Sequence, residues 1–291
     1  MSRRWRTRSR RTRVRRTLTY LVLAAAVALP AWKLIAEIIE PHALLWLRPA
    51  SPALEAASVA GTTLRLHGDT RPHIGKIAGL QKGLVWVWRG RSLVEEGYGF
   101  GCPIVESQGQ AYVSKTAEIE TLPLQEGARL IKRYEMDTVD TPIRFLRRKY
   151  RRAPSLGTVT VQYDIYPDGV IDVEVDFSRM KRGWTKAYLM NEQGAHHFVH
   201  YADGSGLDLQ AGDIGIWQRV DGSTRPMCFA SETRDLRFCV EPEETPTVYY
   251  GRERYWQRNW RGLYYLAWAG IDIQVEAPRQ TYRYRITLEA G

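Results

Sequence analysis

Residues 158–177 read Thr-Val-Thr-Val-Gln-Tyr-Asp-Ile-Tyr, then Pro-Asp-Gly, then Val-Ile-Asp-Val-Glu-Val-Asp-Phe. Two runs of strict apolar/polar alternation around a turn signal exclude a helix, whose apolar stripe recurs every three to four residues. Pro167-Asp168-Gly169 suits a type I turn closed by a left-handed glycine, the three-residue hairpin connection. With Tyr166 facing Val170 the register follows. Ile165/Ile171, Tyr163/Val173, Val161/Val175 and Val159/Phe177 share one face, which is wholly of core type. The other face pairs Asp164/Asp172, Gln162/Glu174 and Thr160/Asp176, and like charges directly opposite one another are destabilising. The neutralising group expected from the sequence is the basic run Ile143-Arg-Phe-Leu-Arg-Arg-Lys-Tyr150 with Arg151 and Arg152, or else water. A calcium ion is the sharper alternative, since carboxylate oxygens suit a hard cation, but no loop of calcium-binding spacing accompanies these acids.

The same β character runs through the rest of the chain from about residue 62. No segment beyond the N-terminal apolar stretch keeps a helical period for three turns. Short β-branched and aromatic runs recur between Gly, Pro and Asp-Gly punctuation instead. Thirteen strands are expected, at 84–88, 129–135, 143–150, 158–166, 170–177, 186–190, 196–201, 214–220, 236–240, 247–250, 263–268, 271–275 and 282–288. No repeat of 20–50 residues is present, which argues against propellers and solenoids. The fold class that follows is all-β, a large two-sheet antiparallel β-sandwich preceded by an N-terminal transmembrane helix. A composition of 44% apolar and 25% charged residues over 291 positions allows a core of ordinary size.

The formal net charge of +10 is concentrated at one end. Residues 1–16 hold nine Arg and no acid, so without them 33 basic residues face 32 acids and the body is close to neutral. A near-neutral body argues against nucleic acid as a partner, because that function needs its basic footprint on the folded domain. Residues 18–32 are uncharged, and the apolar character resumes after Lys33 through Ile39. Spanning a bilayer takes about 20 residues, so the reading is a signal anchor over 17–39 with Lys33 snorkelling at the far interface. A signal peptide cleaved after Ala28 is the alternative. Either way the arginines hold the N-terminus in the cytoplasm and the body lies outside, periplasmic or extracellular. The organisation expected is a basic cytoplasmic tail (1–16), an anchor (17–39), a Pro-rich linker (40–61) and an extracytoplasmic β-sandwich domain (62–291).

Two of the three cysteines, Cys228 and Cys239, lie in apolar segments on either side of a polar turn. Such a hairpin brings them opposite each other, and a bridge there suits an oxidising compartment. Two packed thiols are the alternative, and Cys102 is expected to be buried and unpaired. Glu95-Glu-Gly-Tyr-Gly-Phe-Gly101 has glycines at alternate positions, but Cys102-Pro103 stands where a phosphate loop needs a helix start. A bulged strand is the better reading.

Candidate catalytic groups are few. His196, His197 and His200 form one cluster, but as strand residues His196 and His200 sit about 13 Å apart, too far to share an ion. No metal and no cofactor are expected. Glu192, in a polar patch at a strand end, joins His196 and His200 as an acid/base candidate. The densest anomaly is Tyr249–Trp268, with eight aromatic rings and four Arg in twenty residues. Rings beside Arg and Asn suit sugar stacking and protein contact, both of which use large rigid surfaces with polar handles. Tyr255, Trp256, Arg258, Trp260 and Arg261 are therefore the expected contact residues. The leading functional reading is a single-pass membrane-anchored binding or assembly module of the cell envelope that engages a glycan or a protein partner without catalysis. The alternative is a carbohydrate-active enzyme, epimerase- or hydrolase-like in its sandwich architecture, using Glu192 with His196 or His200.

Overall fold

The computed structural model describes residues 54–59, 62–66 and 80–291, apart from 90, 95–96, 141–149, 245 and 260–261. All of these belong to the compact unit Pro49–Gly291. The tail 1–16, the apolar stretch 17–39 and the basic run 143–149 lie outside the described residues. Among the described residues there is no helix, and hence none long and apolar enough to cross a membrane.

Two antiparallel sheets make up the domain, with strands numbered in chain order. The twelve-stranded sheet runs β1 (Leu54–Val59), β2 (Thr62–Leu66), β3 (Leu84–Trp88), β5 (Gly99–Ser107), β13 (Trp184–Gln193), β20 (Gly262–Glu276), β19 (Thr247–Asn259) and β16 (Gln218–Asp221). The short strands β4 (Arg91–Ser92), β6 (Gln110–Val113), β9 (Thr138–Asp140) and β10 (Tyr150–Arg152) are attached to it. In the nine-stranded sheet the order is β15 (Asp208–Gln210), β14 (His200–Asp203), β17 (Met227–Ala230), β18 (Leu236–Pro242), β21 (Thr281–Ala290), β12 (Val170–Asp176), β11 (Thr158–Ile165), β8 (Ala128–Glu135) and β7 (Ala117–Pro123). Strand β1 falls inside the stretch read as linker. Its pairing with β2 makes residues 54–59 part of the sheet, a role that its run of small residues does not advertise.

The hairpin β11/β12 has the register read from the sequence, Ile165 opposite Ile171 through Thr160 opposite Asp176. Its apolar face is buried in one core shared by both sheets. Phe100 meets Phe238 edge-on with centroids 5.4 Å apart, and Tyr201 stacks on Tyr250 at 3.9 Å. Polar links cross the same layer. Tyr163 donates its hydroxyl to the Phe100 carbonyl at 2.8 Å, and Tyr284 donates to Asn191 Oδ1 at 3.1 Å.

The acidic face of the hairpin is neutralised from both sides by arginines on the flanking strands. Arg129 on β8 grips Asp164 with two bonds of 2.6 Å, and on β21 Arg285 reaches Asp172 at 2.8 Å and Arg283 reaches Glu174 at 2.8 Å. The strands that flank β11 and β12 are β8 and β21, whereas β10 pairs with β9 in the other sheet. Cross-strand position, rather than proximity along the chain, decides which arginines serve. Partly exposed pairs of this kind contribute up to about 1 kcal/mol each.

Cys228 and Cys239 are opposite each other on β17 and β18 and are bridged, with Cα atoms 4.0 Å apart. Cys102 is buried and free, and its thiol donates to the Gln81 carbonyl at 3.2 Å. Burial pushes that thiol up to about 12, which removes thiolate reactivity. The alternating glycines do form a bulge. Gly99 and Gly101 take φ of +76° and +74°, and the pairing of β5 with β13 shifts between Met190 and Asn191. A Cβ on Gly101 would stand 2.7 Å from the Tyr163 hydroxyl, so a side chain there collides with the inter-sheet link.

Candidate functional site

Alternation along β13, β19 and β20 sorts their side chains onto two faces. Ala187, Leu189, Val248, Tyr250, Ala269, Ile271, Ile273 and Val275 belong to the core. The intervening residues, among them Tyr188, Glu192, Tyr249, Glu253, Trp268, Asp272, Gln274 and Glu276, therefore occupy the outer face of the twelve-stranded sheet.

On this outer face four rings form a shelf. Trp217, from the loop before β16, lies 5.3 Å from Tyr249, 5.7 Å from Tyr188 and 6.4 Å from Trp268 between centroids. Tyr188 and Tyr249 are 6.1 Å apart. Trp217 keeps 38% of its surface exposed and Ile216 keeps 55%, while Tyr188 and Tyr249 are half-buried. Two features of the backbone build the shelf. Gly251 pairs with Gly270, and a Cβ on Gly251 would stand 2.6 Å from the Trp217 amide nitrogen and 3.0 Å from the Trp268 ring. Only a bare backbone lets the 215–217 segment cross the sheet, where the Arg252 N–H donates to the Gly215 carbonyl at 3.1 Å. Trp217 itself has φ of +53°. For a bulky residue that left-handed conformation costs on the order of 1–3 kcal/mol, and such strain gathers at functional positions.

Polar groups surround and underlie the rings. Tyr249 donates to Gln274 at 3.1 Å, and Trp268 donates its indole N–H to Glu253 at 2.7 Å. Lys186 pairs with Glu106 at 3.3 Å and stands 5.4 Å from the Tyr188 ring centre, and Arg219, opposite Tyr249 on β16, pairs with Asp221 at 2.9 Å. Two carboxyls are buried beside the shelf. Glu192 accepts the Tyr98 N–H at 3.1 Å, and Asp272 accepts the Asn191 N–H at 2.9 Å. Burial raises the Asp272 carboxyl to about 7 despite that bond, so a large fraction of it is neutral at physiological pH.

The residues singled out in the sequence are distributed unevenly around this shelf. Glu192 is on the outer face of the twelve-stranded sheet and is 3% exposed. His196 lies in a turn after β13, where the His197 N–H donates to the Gly194 carbonyl at 3.0 Å. The expected strand 196–201 thus begins only at His200. The preceding segment turns because Arg252 takes the Ala195 and Phe198 carbonyls at 2.8 and 3.0 Å. His200 opens β14, and since its neighbour Tyr201 points into the core, His200 faces outward from the nine-stranded sheet. Glu192 and His200 therefore lie on opposite outer faces and do not share a substrate. His200 lines a shallow cavity of about 330 Å³ with Asp208, Cys228, Arg234, Arg237 and Glu289. Tyr255, Trp256 and Arg258 lie in the long hairpin of β19 and β20, opposite Leu266, Tyr265 and Leu263. Trp260 and Arg261 lie outside the described residues. Among the described residues no three His, Cys, Asp or Glu side chains gather as a metal site.

The sequence reading passed over Trp217, Tyr188 and Asp272. Gly251 and Gly270 held the signal for them, since glycine inside a strand marks a close backbone approach. What that backbone would be could not be read before β19 and β20 were paired.

No family model and no curated protein matches the chain. Several solved structures resemble it weakly. An α-N-acetylgalactosaminidase from Bifidobacterium bifidum in complex with GalNAc matches 80% of this chain and 35% of its own at 10% identity, with a TM-score of 0.47. The heparan sulfate lyase HepC from Pedobacter heparinus matches 84% of this chain and 37% of its own at 8% identity and 0.45. A GalM/aldose epimerase homologue from C. elegans matches 83% of this chain and all of its own at 11% identity and 0.43. The chain spans little more than a third of the first two proteins. At these identities and scores nothing about its chemistry follows from them.

Proposed function

We propose that the protein is a membrane-anchored, extracytoplasmic module of the cell envelope that binds glycan on the outer face of its twelve-stranded sheet. The carrying observation is the half-exposed shelf of Trp217, Tyr249 and Tyr188, with Trp217 held there against its backbone preference. Flat rings ringed by hydroxyl-binding side chains are the chemistry that a pyranose calls for, its C–H face stacking while its hydroxyls bond at the edges. Tyr255, Trp256, Arg258, Trp260 and Arg261 are proposed as a separate contact, toward an envelope protein partner, further along the β19/β20 hairpin. The anchor over 17–39, the cytoplasmic tail and the membrane as partner remain part of this proposal. Pull-down of the detergent-solubilised full-length protein on immobilised polysaccharides, wild type against Trp217→Ala, tests the binding. The intact mass from the membrane fraction tests the anchor, because a product beginning near Leu29 would remove it.

A second reading, a carbohydrate-active enzyme, draws on one observation. Glu192 pairs with Gly270, which places Asp272 at the diagonal position on β20, roughly 7–8 Å away between Cα atoms. Two carboxyls on one face of neighbouring strands are the residue types that acid/base cleavage of a glycosidic bond uses. This version replaces His200 with Asp272 as the partner of Glu192. Release of reducing ends by the wild type, lost in both Glu192→Gln and Asp272→Asn, would favour it over simple binding.

A further inference from the structure

The ionised side chains around the shelf are not balanced. On the outer face of β5, β13, β16, β19 and β20, both described cations beside the rings are already committed to carboxylates, Lys186 to Glu106 and Arg219 to Asp221. Four further carboxyls, Glu192, Glu253, Asp272 and Glu276, occupy the same face; Glu192 and Asp272 are buried, and the two that solvent reaches are Glu253 and Glu276. Glu253 is engaged by the Trp268 indole and Glu276 by the Gln274 amide, both neutral donors that leave the carboxylate charge uncompensated. A ligand laid on Trp217 therefore meets acceptors and net negative charge, with no uncommitted guanidinium beside the rings among the described residues.

We infer that the shelf selects glycans without anionic groups, namely neutral or amine-bearing pyranose chains, and discriminates against uronic-acid and sulfated chains. This rests on the reading of the face as a glycan site and adds its charge rule. Carboxylate or sulfate groups recognised by proteins are met by Arg or Lys in bidentate or point-charge contacts, and here those groups are self-neutralised. Hydroxyls, by contrast, donate well to carboxylates and to the Gln274 amide oxygen, and a protonated amine gains from the acidic surplus. The discrimination is built from repulsion as much as from attraction, as specificity between similar ligands commonly requires.

The test uses full-length protein in a polyoxyethylene detergent, whose headgroup is not a sugar. Binding of cellohexaose, a glucosamine hexamer, a galacturonic acid hexamer and a heparin hexasaccharide is followed by tryptophan fluorescence at low salt. The neutral or amine-bearing chains should bind at least tenfold more tightly than either anionic chain. Glu276→Gln, an exposed substitution, should raise affinity for the galacturonic acid hexamer several-fold and lower that for cellohexaose, because it removes both a repelling charge and a strong hydroxyl acceptor; equal changes for the two chains would contradict the charge rule. Equal or tighter binding of an anionic chain, lost in Trp217→Ala, would overturn the charge rule and leave the glycan reading standing. Failure of all four probes to bind would overturn the reading and the rule together.

Discussion

Asn191→Leu is the substitution whose cost follows most directly from the geometry. Asn191 is fully buried on β13, and its Oδ1 accepts both the Gly101 N–H at 3.0 Å and the Tyr284 hydroxyl at 3.1 Å. Its Nδ2 donates to the Leu189 carbonyl at 3.1 Å. One side chain thus fixes the bulge in β5 and ties the twelve-stranded sheet to β21 of the nine-stranded sheet. Leucine nearly conserves the volume, so packing changes little and the loss is polar. Two buried donors lose their acceptor at about 1–3 kcal/mol each, which puts the expected cost at about 4 kcal/mol. Tyr284→Phe alone removes one donor and leaves Asn191 its Gly101 partner, at about 1 kcal/mol. In the double variant the orphaned hydroxyl no longer exists, so the two effects should fall short of additivity by about 1–2 kcal/mol. Urea unfolding followed by near-ultraviolet circular dichroism measures all three. A cost below about 1 kcal/mol for Asn191→Leu, or strict additivity with Tyr284→Phe, would refute the view that this side chain bridges the sheets.

The remaining expectations are briefer. Burial raises Asp272 to about 7 from an ordinary value of 3.8, so between these values the folded state holds a proton that the unfolded state has lost. Stability should therefore fall as pH rises from about 4 to 7, by a few kcal/mol, and Asp272→Asn should flatten that slope in pH-dependent denaturation. Reducing the Cys228–Cys239 bridge, or replacing both residues with Ser, should cost about 3 kcal/mol for a loop of this size, read from thermal melts with and without reductant. Non-reducing peptide mapping of protein purified under oxidising conditions should recover Cys102 alone as an alkylated thiol. Arg129→Met removes the two-bond grip on Asp164 and leaves that carboxylate facing Asp172, which should cost about 1 kcal/mol in urea unfolding, less at high salt.

What could be read in the sequence was what the local period carries. The hairpin of β11 and β12 showed its register because alternation and the Pro-Asp-Gly turn act within twenty residues. The Cys228–Cys239 pairing followed from the same kind of local symmetry. Strands of two to four residues, such as β4, β9 and β15, show no period to detect and were passed over. The long ladder of β19 and β20 was read as three separate strands, because Gly251 and Gly270 look like breaks when they in fact sit opposite each other in mid-strand. The arginines that neutralise Asp164 and Asp172 are 35 and 113 residues distant in the chain, beyond any local pattern. The aromatic shelf is of that kind too. Tyr249 and Trp268 were visible as part of an anomalous segment, but Trp217 and Tyr188 join them only through sheet pairing.

The central claim, that the outer face of the twelve-stranded sheet is a contact surface rather than a patch of core, is tested most directly by Trp217→Gly. Glycine adopts the left-handed backbone freely, so the strain at φ of +53° is relieved while the ring is removed. The account predicts a melting temperature unchanged within a few degrees or slightly raised, together with a loss of at least tenfold in affinity for the neutral oligosaccharide that the wild type binds. Retention of that affinity, or a collapse of stability with binding lost only in proportion to unfolding, would contradict it.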